Sequence, residues 1–160
     1  HPQISVNDSR DEIISKIRGL AGVSEMALLT LYAYRDMEMA DWRPFVKAAI
    51  ERNPVCHSDL GGRNADEIYA LINKLTNQSI YDSGRLAQPD EVWNFGRGDG
   101  AEKAFLMADA LVFNDPGAVV KILLEDDQAV VEYNYRYFRF ATVKGLRKKI
   151  TISRKEYTVW

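Results

Sequence analysis

Residues 96–111, Gly-Arg-Gly-Asp-Gly-Ala-Glu-Lys-Ala-Phe-Leu-Met-Ala-Asp-Ala-Leu, are the segment of this chain best arranged for chemistry. They read as a tight glycine turn running directly into an amphipathic helix. A helix N-terminus carries partial positive charge, which stabilises a thiolate and makes a cysteine placed there nucleophilic. The residue placed to be that nucleophile is Gly100, which has no side chain. The layout is that of a thiol enzyme, and the thiol is missing.

Other reactive residue types are few. Cys56 and His57 are adjacent, on a segment that reads as a loop. Neighbours on a loop seldom face one another, and no third group is evident from the sequence. The pair is therefore expected to be an ordinary cysteine beside a surface histidine. One cysteine excludes an internal disulfide and a multi-cysteine metal site. With His1 and His57 as the only histidines, a zinc site would need carboxylates at unusual spacing. Neither a metal nor a cofactor is expected. Asp99 with Glu102, and Asp126 with Asp127, are carboxylate pairs of the kind that can do acid–base work. The first pair is better explained by the helix dipole and the second by a turn. Arg97-Gly98-Asp99 matches the tripeptide read by integrin-type receptors, but three residues recur by chance, and Asp99 is better placed as a helix cap.

The composition narrows the function classes. At 160 residues and 46% hydrophobic, the chain is expected to be one domain, 1–160, with a real core. Its formal net charge of −2 argues against nucleic-acid binding driven by bulk charge. Arg147, Lys148 and Lys149 are the densest basic run and read as a solvated strand end. No stretch approaches the length of a transmembrane helix. No signal peptide is visible, yet the chain begins at His1 rather than Met, as a processed or trimmed product would. Compartment and oligomeric state stay open.

The first half, about 1–80, has helical periodicity. Ser9 and Glu12 have capping-box spacing ahead of Ile13, Ile14, Ile17 and Leu20, and Gly19 and Gly22 end that helix. Ser24 caps a second helix with Met26, Leu28, Leu29, Leu31 and Tyr32. Asp41 opens a third, which Asn53-Pro54 stops. Asn64 caps a fourth with Ile68, Leu71, Ile72 and Leu75 on its face. Residues 78–98 read as a long irregular connection, packed down or made functional by Trp93 and Phe95. A fifth helix runs from about Asp99 to Phe113, its core face being Ala104, Phe105, Ala108, Leu111 and Val112. Beyond the turn Asn114-Asp115-Pro116-Gly117 the period becomes two. Residues 119–124, 128–133, 136–142 and 146–152 read as strands of an antiparallel meander, with a short edge at 157–160. The fold class is α+β, with a helix-plus-sheet core at about 86–160.

Tyr133-Asn134-Tyr135-Arg136 can close a hairpin with Asn134 and Tyr135 at its tip. Tyr133 then faces Arg136, and Gln128 faces Ala141. Gln128, Val130 and Glu132 share one face with Tyr137, Arg139 and Ala141. Glu132 and Arg139 lie diagonally there and are expected to pair. Ala129, Val131, Phe138 and Phe140 share the other face. The aromatic series along these strands is expected to be packing rather than base stacking, given the charge.

A glycine turn, a helix and then a meander resemble the transglutaminase-like branch of the papain-type fold. Three segments carry the resemblance: Gly98-Asp99-Gly100-Ala101-Glu102-Lys103-Ala104, Asp127-Gln128-Ala129-Val130-Val131-Glu132 and Tyr137-Phe138-Arg139-Phe140-Ala141-Thr142. The family places its catalytic Cys, His and Asp in such segments. Here those positions hold Gly100, Gln128 and Ala141. The hairpin count independently sets Gln128 opposite Ala141, where a His–Asp pair would be needed. Gly100 supplies no nucleophile, Gln128 takes up no proton near neutral pH, and Ala141 orients nothing.

The resemblance implies a non-catalytic, transglutaminase-like domain that binds a peptide or protein, or acts as a scaffold. The alternative is an active hydrolase or transferase using other residues. A groove is expected between residues 96–101 and the Gln128/Ala141 face, with Trp93, Asp99 and Arg139 contributing. The helix N-terminus would keep donors for a carbonyl or an anion, and Gln128 would hydrogen-bond a peptide. Gly100→Cys alone is expected to give no turnover, and adding Gln128→His and Ala141→Asp is the combination expected to restore a reactive thiol.

Overall fold

The computed structural model describes residues 3–160, so His1 lies outside the described residues. It divides into two units, His1–Asp41 and Trp42–Trp160. Each is described by itself.

In the first unit, Ser9 accepts the Glu12 amide and Glu12 reaches back to the Ser9 amide, which starts α1 (Arg10–Arg18). Gly19 caps its end. Ser24 accepts the Ala27 amide and starts α2 (Glu25–Tyr34). The side of α2 that is buried carries Ala27 and Leu31, whereas Met26, Leu28 and Leu29 are exposed. The expected face of this helix is therefore only partly right. Its sequence is apolar on every side, so periodicity could not single out one face. Arg18 donates to both oxygens of the buried Asp36, at 2.6 and 2.9 Å.

The second unit contains α3 (Trp42–Glu51), α4 (Pro54–Leu60), α5 (Ala65–Asn73), α6 (Pro89–Phe95) and α7 (Gly100–Asn114). They are followed by β1 (Val120–Leu124), β2 (Gln128–Tyr133), β3 (Arg136–Ala141), β4 (Lys148–Ile152) and β5 (Tyr157–Val159). Pro54 and Pro89 stand in the first turns of α4 and α6, where a missing N–H costs nothing. Both helices lie where the sequence reads as irregular.

The sheet is antiparallel throughout, in the order β3-β2-β1-β4-β5. Only β1, β2 and β3 form a meander. The chain then crosses back so that β4 pairs with β1, Ile122 opposite Ile150. Local periodicity carries no information about that crossing. Between β2 and β3 the register sets Tyr133 opposite Arg136 and Gln128 opposite Ala141, as the hairpin count requires. Asn134 and Tyr135 at the tip have φ of 49° and 61°.

α7 is the axis of this unit. Every residue from Gly100 to Val112 is buried, so the helix is covered all round rather than on one face. One side meets β1, β2 and β3, whose buried residues include Ile122, Ala129, Val131, Phe138 and Phe140. Other sides meet α3, α4, α5 and α6. Phe105 packs edge-on against Phe45 at 5.2 Å and lies 6.3 Å from Trp42. Tyr69 of α5 sits 5.2 Å from both Phe138 and Phe140 and donates to the Arg139 carbonyl. Asn77 donates to the Ala141 carbonyl, so side chains cover part of the β3 edge. No described helix is long and apolar enough to cross a membrane.

Candidate functional site

The turn before α7 is built from charged residues that point inward. Asp99 caps the helix by accepting the Ala101 amide at 2.9 Å. The same carboxylate accepts the Thr142 hydroxyl and, at 2.9 Å, the Val143 amide. Asp99 thus ties the helix start to the loop after β3. Glu102, buried one turn later, accepts the Asp99 amide at 2.8 Å, the Ala87 amide at 2.8 Å and the Ser79 hydroxyl at 2.6 Å. Lys103 donates to the Leu75 carbonyl, and Lys144 to that of Tyr81. Glu102 and Lys144 thus hold the long 78–98 connection in place, and Lys103 holds the turn that follows α5. Burial raises the Glu102 carboxyl above its ordinary value, although the bonds from Ser79, Ala87 and Asp99 pull the other way.

Of the three positions that the resemblance singles out, Gly100 lies against the Ala141 backbone, but the side chains of Gln128 and Ala141 share the outer face of the sheet, opposite the row of Ala129, Val131, Phe138 and Phe140 that faces α7, so the three do not converge on one site. A Cβ on Gly100 would lie 2.1 Å from the Ala141 carbonyl oxygen and 2.6 Å from its carbon. Ala141 in turn is the cross-strand partner of Gln128. None of these residues can carry a proton or attack a carbonyl. There is also no room for a cysteine at Gly100, so the triple substitution expected to rebuild a reactive thiol has no space for its sulfur. Asp99 has already taken the Ala101 amide, one of the donors expected to serve a ligand. The Gln128 amide likewise donates to Glu125 at 2.7 Å.

The expected groove residues have separate tasks. Trp93 of α6 donates through Nε1 to Asp59 of α4 at 2.7 Å. Asp99 faces inward. Arg139 is exposed on the outer face of β3, its guanidinium 5.9 Å from the Tyr137 ring centre. Glu132 does not take Arg139 as its ion-pair partner. It pairs with Lys121 at 3.0 Å, its direct cross-strand neighbour.

A second cluster overturns the expectation for Cys56 and His57. Both lie on α4 rather than a loop, and both reach Asp109 in the middle of α7. Cys56 Sγ donates to Asp109 Oδ2 at 3.2 Å, and His57 Nε2 lies 2.8 Å from Oδ1. His57 stacks on Phe113 with ring centres 4.1 Å apart and planes 10° from parallel. The amides of Val55 and Cys56 donate to the Asp90 carboxylate, which caps α4 from α6. Burial and the carboxylates of Asp109 and Asp90 push the Cys56 thiol up. Burial raises Asp109 to about 6, against the opposing pull of His57. The acid stands between thiol and imidazole, so the thiol shares its proton with a carboxylate rather than with a base placed to activate it. The one available signal was Asp109 itself, a lone acid in the apolar run from Ala104 to Val112.

Comparison of the chain with protein-family models, with curated proteins and with solved structures gives no match.

Proposed function

We propose that this chain is a non-catalytic domain of the transglutaminase-like type, acting as a peptide- or protein-binding or scaffolding module. The observation that carries the reading is the contact at Gly100. The Ala141 carbonyl fills the space that a nucleophile's side chain would need at the start of α7. The outer face of the sheet supports a binding role. Leu123, Val130 and Tyr137 form the floor of a depression of about 220 Å³, flanked by Lys121, Glu132 and Lys149. An apolar floor with charges of both signs around it suits a peptide of mixed character.

Two measurements test the reading. The protein is incubated with a glutamine peptide and a primary amine, and separately with a thiol-reactive probe. No transfer is expected, and Cys56 stays unlabelled until the chain is denatured. Turnover that disappears in Cys56→Ala would overturn the non-catalytic assignment. Peptides selected from a displayed library should then lose roughly tenfold or more in affinity for Tyr137→Ala if this face is their seat. Selected peptides that bind Tyr137→Ala unchanged would remove the outer face from the proposal.

A further inference from the structure

We propose that Cys56, His57 and Asp109 form a binding site for one divalent cation of the zinc class, held through Sγ, Nε2 and a carboxylate oxygen. The three donor atoms lie within 4.8 Å of one another. They come from two helices, α4 and α7, whose places are fixed by the surrounding core. Tetrahedral zinc, with bonds of about 2.0–2.3 Å, separates such ligands by roughly 3.3–3.6 Å. The hydrogen-bonded gaps of 2.8 and 3.2 Å need only open slightly, and the sulfur and imidazole need only close around the ion.

The donor set selects the cation. Magnesium and calcium take oxygen ligands, whereas a thiolate with an imidazole favours zinc and its transition-metal neighbours. A thiolate and a carboxylate neutralise a doubly charged ion. Asp90 adds negative potential beside the sulfur, because its carboxylate accepts the Cys56 amide at 2.8 Å. The stack of His57 on Phe113 holds the ring with Nε2 on Asp109.

Cys56 and Asp109 are buried, while the His57 side chain keeps 16% of its exposure. Solvent therefore reaches the cluster from the imidazole side, where water would complete four-coordination. Three protein ligands and one open place are the pattern of an accessible zinc site rather than a closed structural one. Binding forms metal–sulfur, metal–nitrogen and metal–oxygen bonds. It breaks the S–H bond, and that proton leaves to the buffer. The two ligands on α4 are adjacent, and the carboxylate lies 52 residues from His57. This is the unusual spacing that hides the site from a linear reading.

Cobalt(II) is the probe. One equivalent added to the reduced 160-residue chain should give a thiolate-to-cobalt charge-transfer band in the near ultraviolet and the intense visible absorption of a tetrahedral centre. Binding to the metal-free chain should release about one proton, read by calorimetry in buffers of different ionisation enthalpy, and zinc should then displace the cobalt with no further release. Cys56→Ser should abolish the charge-transfer band. His57→Ala should weaken binding by more than the roughly 10–100-fold that loss of a supporting contact causes. Should either variant fail to fold, the wild-type spectrum and proton release decide alone. A wild-type protein with no charge-transfer band at stoichiometric cobalt overturns the proposal, and so does a band that persists in folded Cys56→Ser.

Discussion

Gly100 and Ala141 touch backbone to backbone: a methyl group on Gly100 would lie 2.1 Å from the Ala141 carbonyl oxygen. The obstacle is main chain, which cannot swing aside as a side chain can. Gly100→Ala should therefore cost at least the roughly 1–3 kcal/mol typical of overpacking. Gly22→Ala is the control, since a Cβ there meets nothing within 4 Å. It should stay within about 0.5 kcal/mol of wild type. Urea denaturation of both variants measures this, and a Gly100→Ala protein as stable as wild type would falsify the contact.

Asp99 should prove structural. Its carboxylate accepts the Ala101 amide, the Val143 amide and the Thr142 hydroxyl. Asp99→Ala removes a helix cap and leaves buried donors unpaired, together roughly 2–4 kcal/mol. Hydrogen exchange gives the local signature. The Val143 amide should lose protection in Asp99→Ala, while amides in the middle of β2 keep an ordering close to wild type. Unchanged Val143 exchange would mean that Asp99 does not hold this loop.

These contacts show how far the sequence could be read. The strands were legible because β-branched and aromatic residues alternate after the turn at residues 114–117, and Asn134 marked a hairpin tip that fixed the register to Gln128 and Ala141. α7 was legible from Asp99, the expected cap, and from the acidic charge of Glu102 in its first turn, which together form a capping box. α4 and α6 were not. Each is seven residues long and opens on a proline, which ends a helix as readily as it begins one. The cap of α4 comes from Asp90, 34 residues beyond Cys56. The return of β4 to β1 and the meeting of Cys56, His57 and Asp109 are likewise products of packing between distant segments. No local pattern encodes them.

Glu102 should make stability depend on pH. Burial raises its carboxyl above the ordinary 4.5, with Ser79, Ala87, Asp99 and Lys144 acting in the opposite sense. A raised acid favours folding while protonated, because the unfolded chain gives up that proton at lower pH. The contribution is therefore full below 4.5 and is lost as pH rises through the raised value. Glu102→Gln removes the titration. Wild type should lose stability relative to Glu102→Gln as pH climbs from 4.5, by at most about 1.4 kcal/mol per pH unit for one proton. Parallel stability profiles across that window would show that the bonds to Glu102 outweigh its burial.

The β2–β3 turn carries a removable strain. Asn134 and Tyr135 have φ of 49° and 61°, the left-handed region that a two-residue hairpin of this type requires at both positions. Asparagine tolerates that backbone and tyrosine does not, while the Tyr135 side chain is 96% exposed and has little packing to lose. Relief of about 1–2 kcal/mol at Tyr135 is partly offset by the greater freedom of glycine in the unfolded chain. Tyr135→Gly should therefore stabilise by roughly 0.5–1 kcal/mol and raise Tm by about 1–4 °C. Asn134→Gly should gain less. The order of the two variants is the sharper measurement, because it depends on which residue bears the strain. A larger gain at Asn134 than at Tyr135 would assign the turn a different backbone.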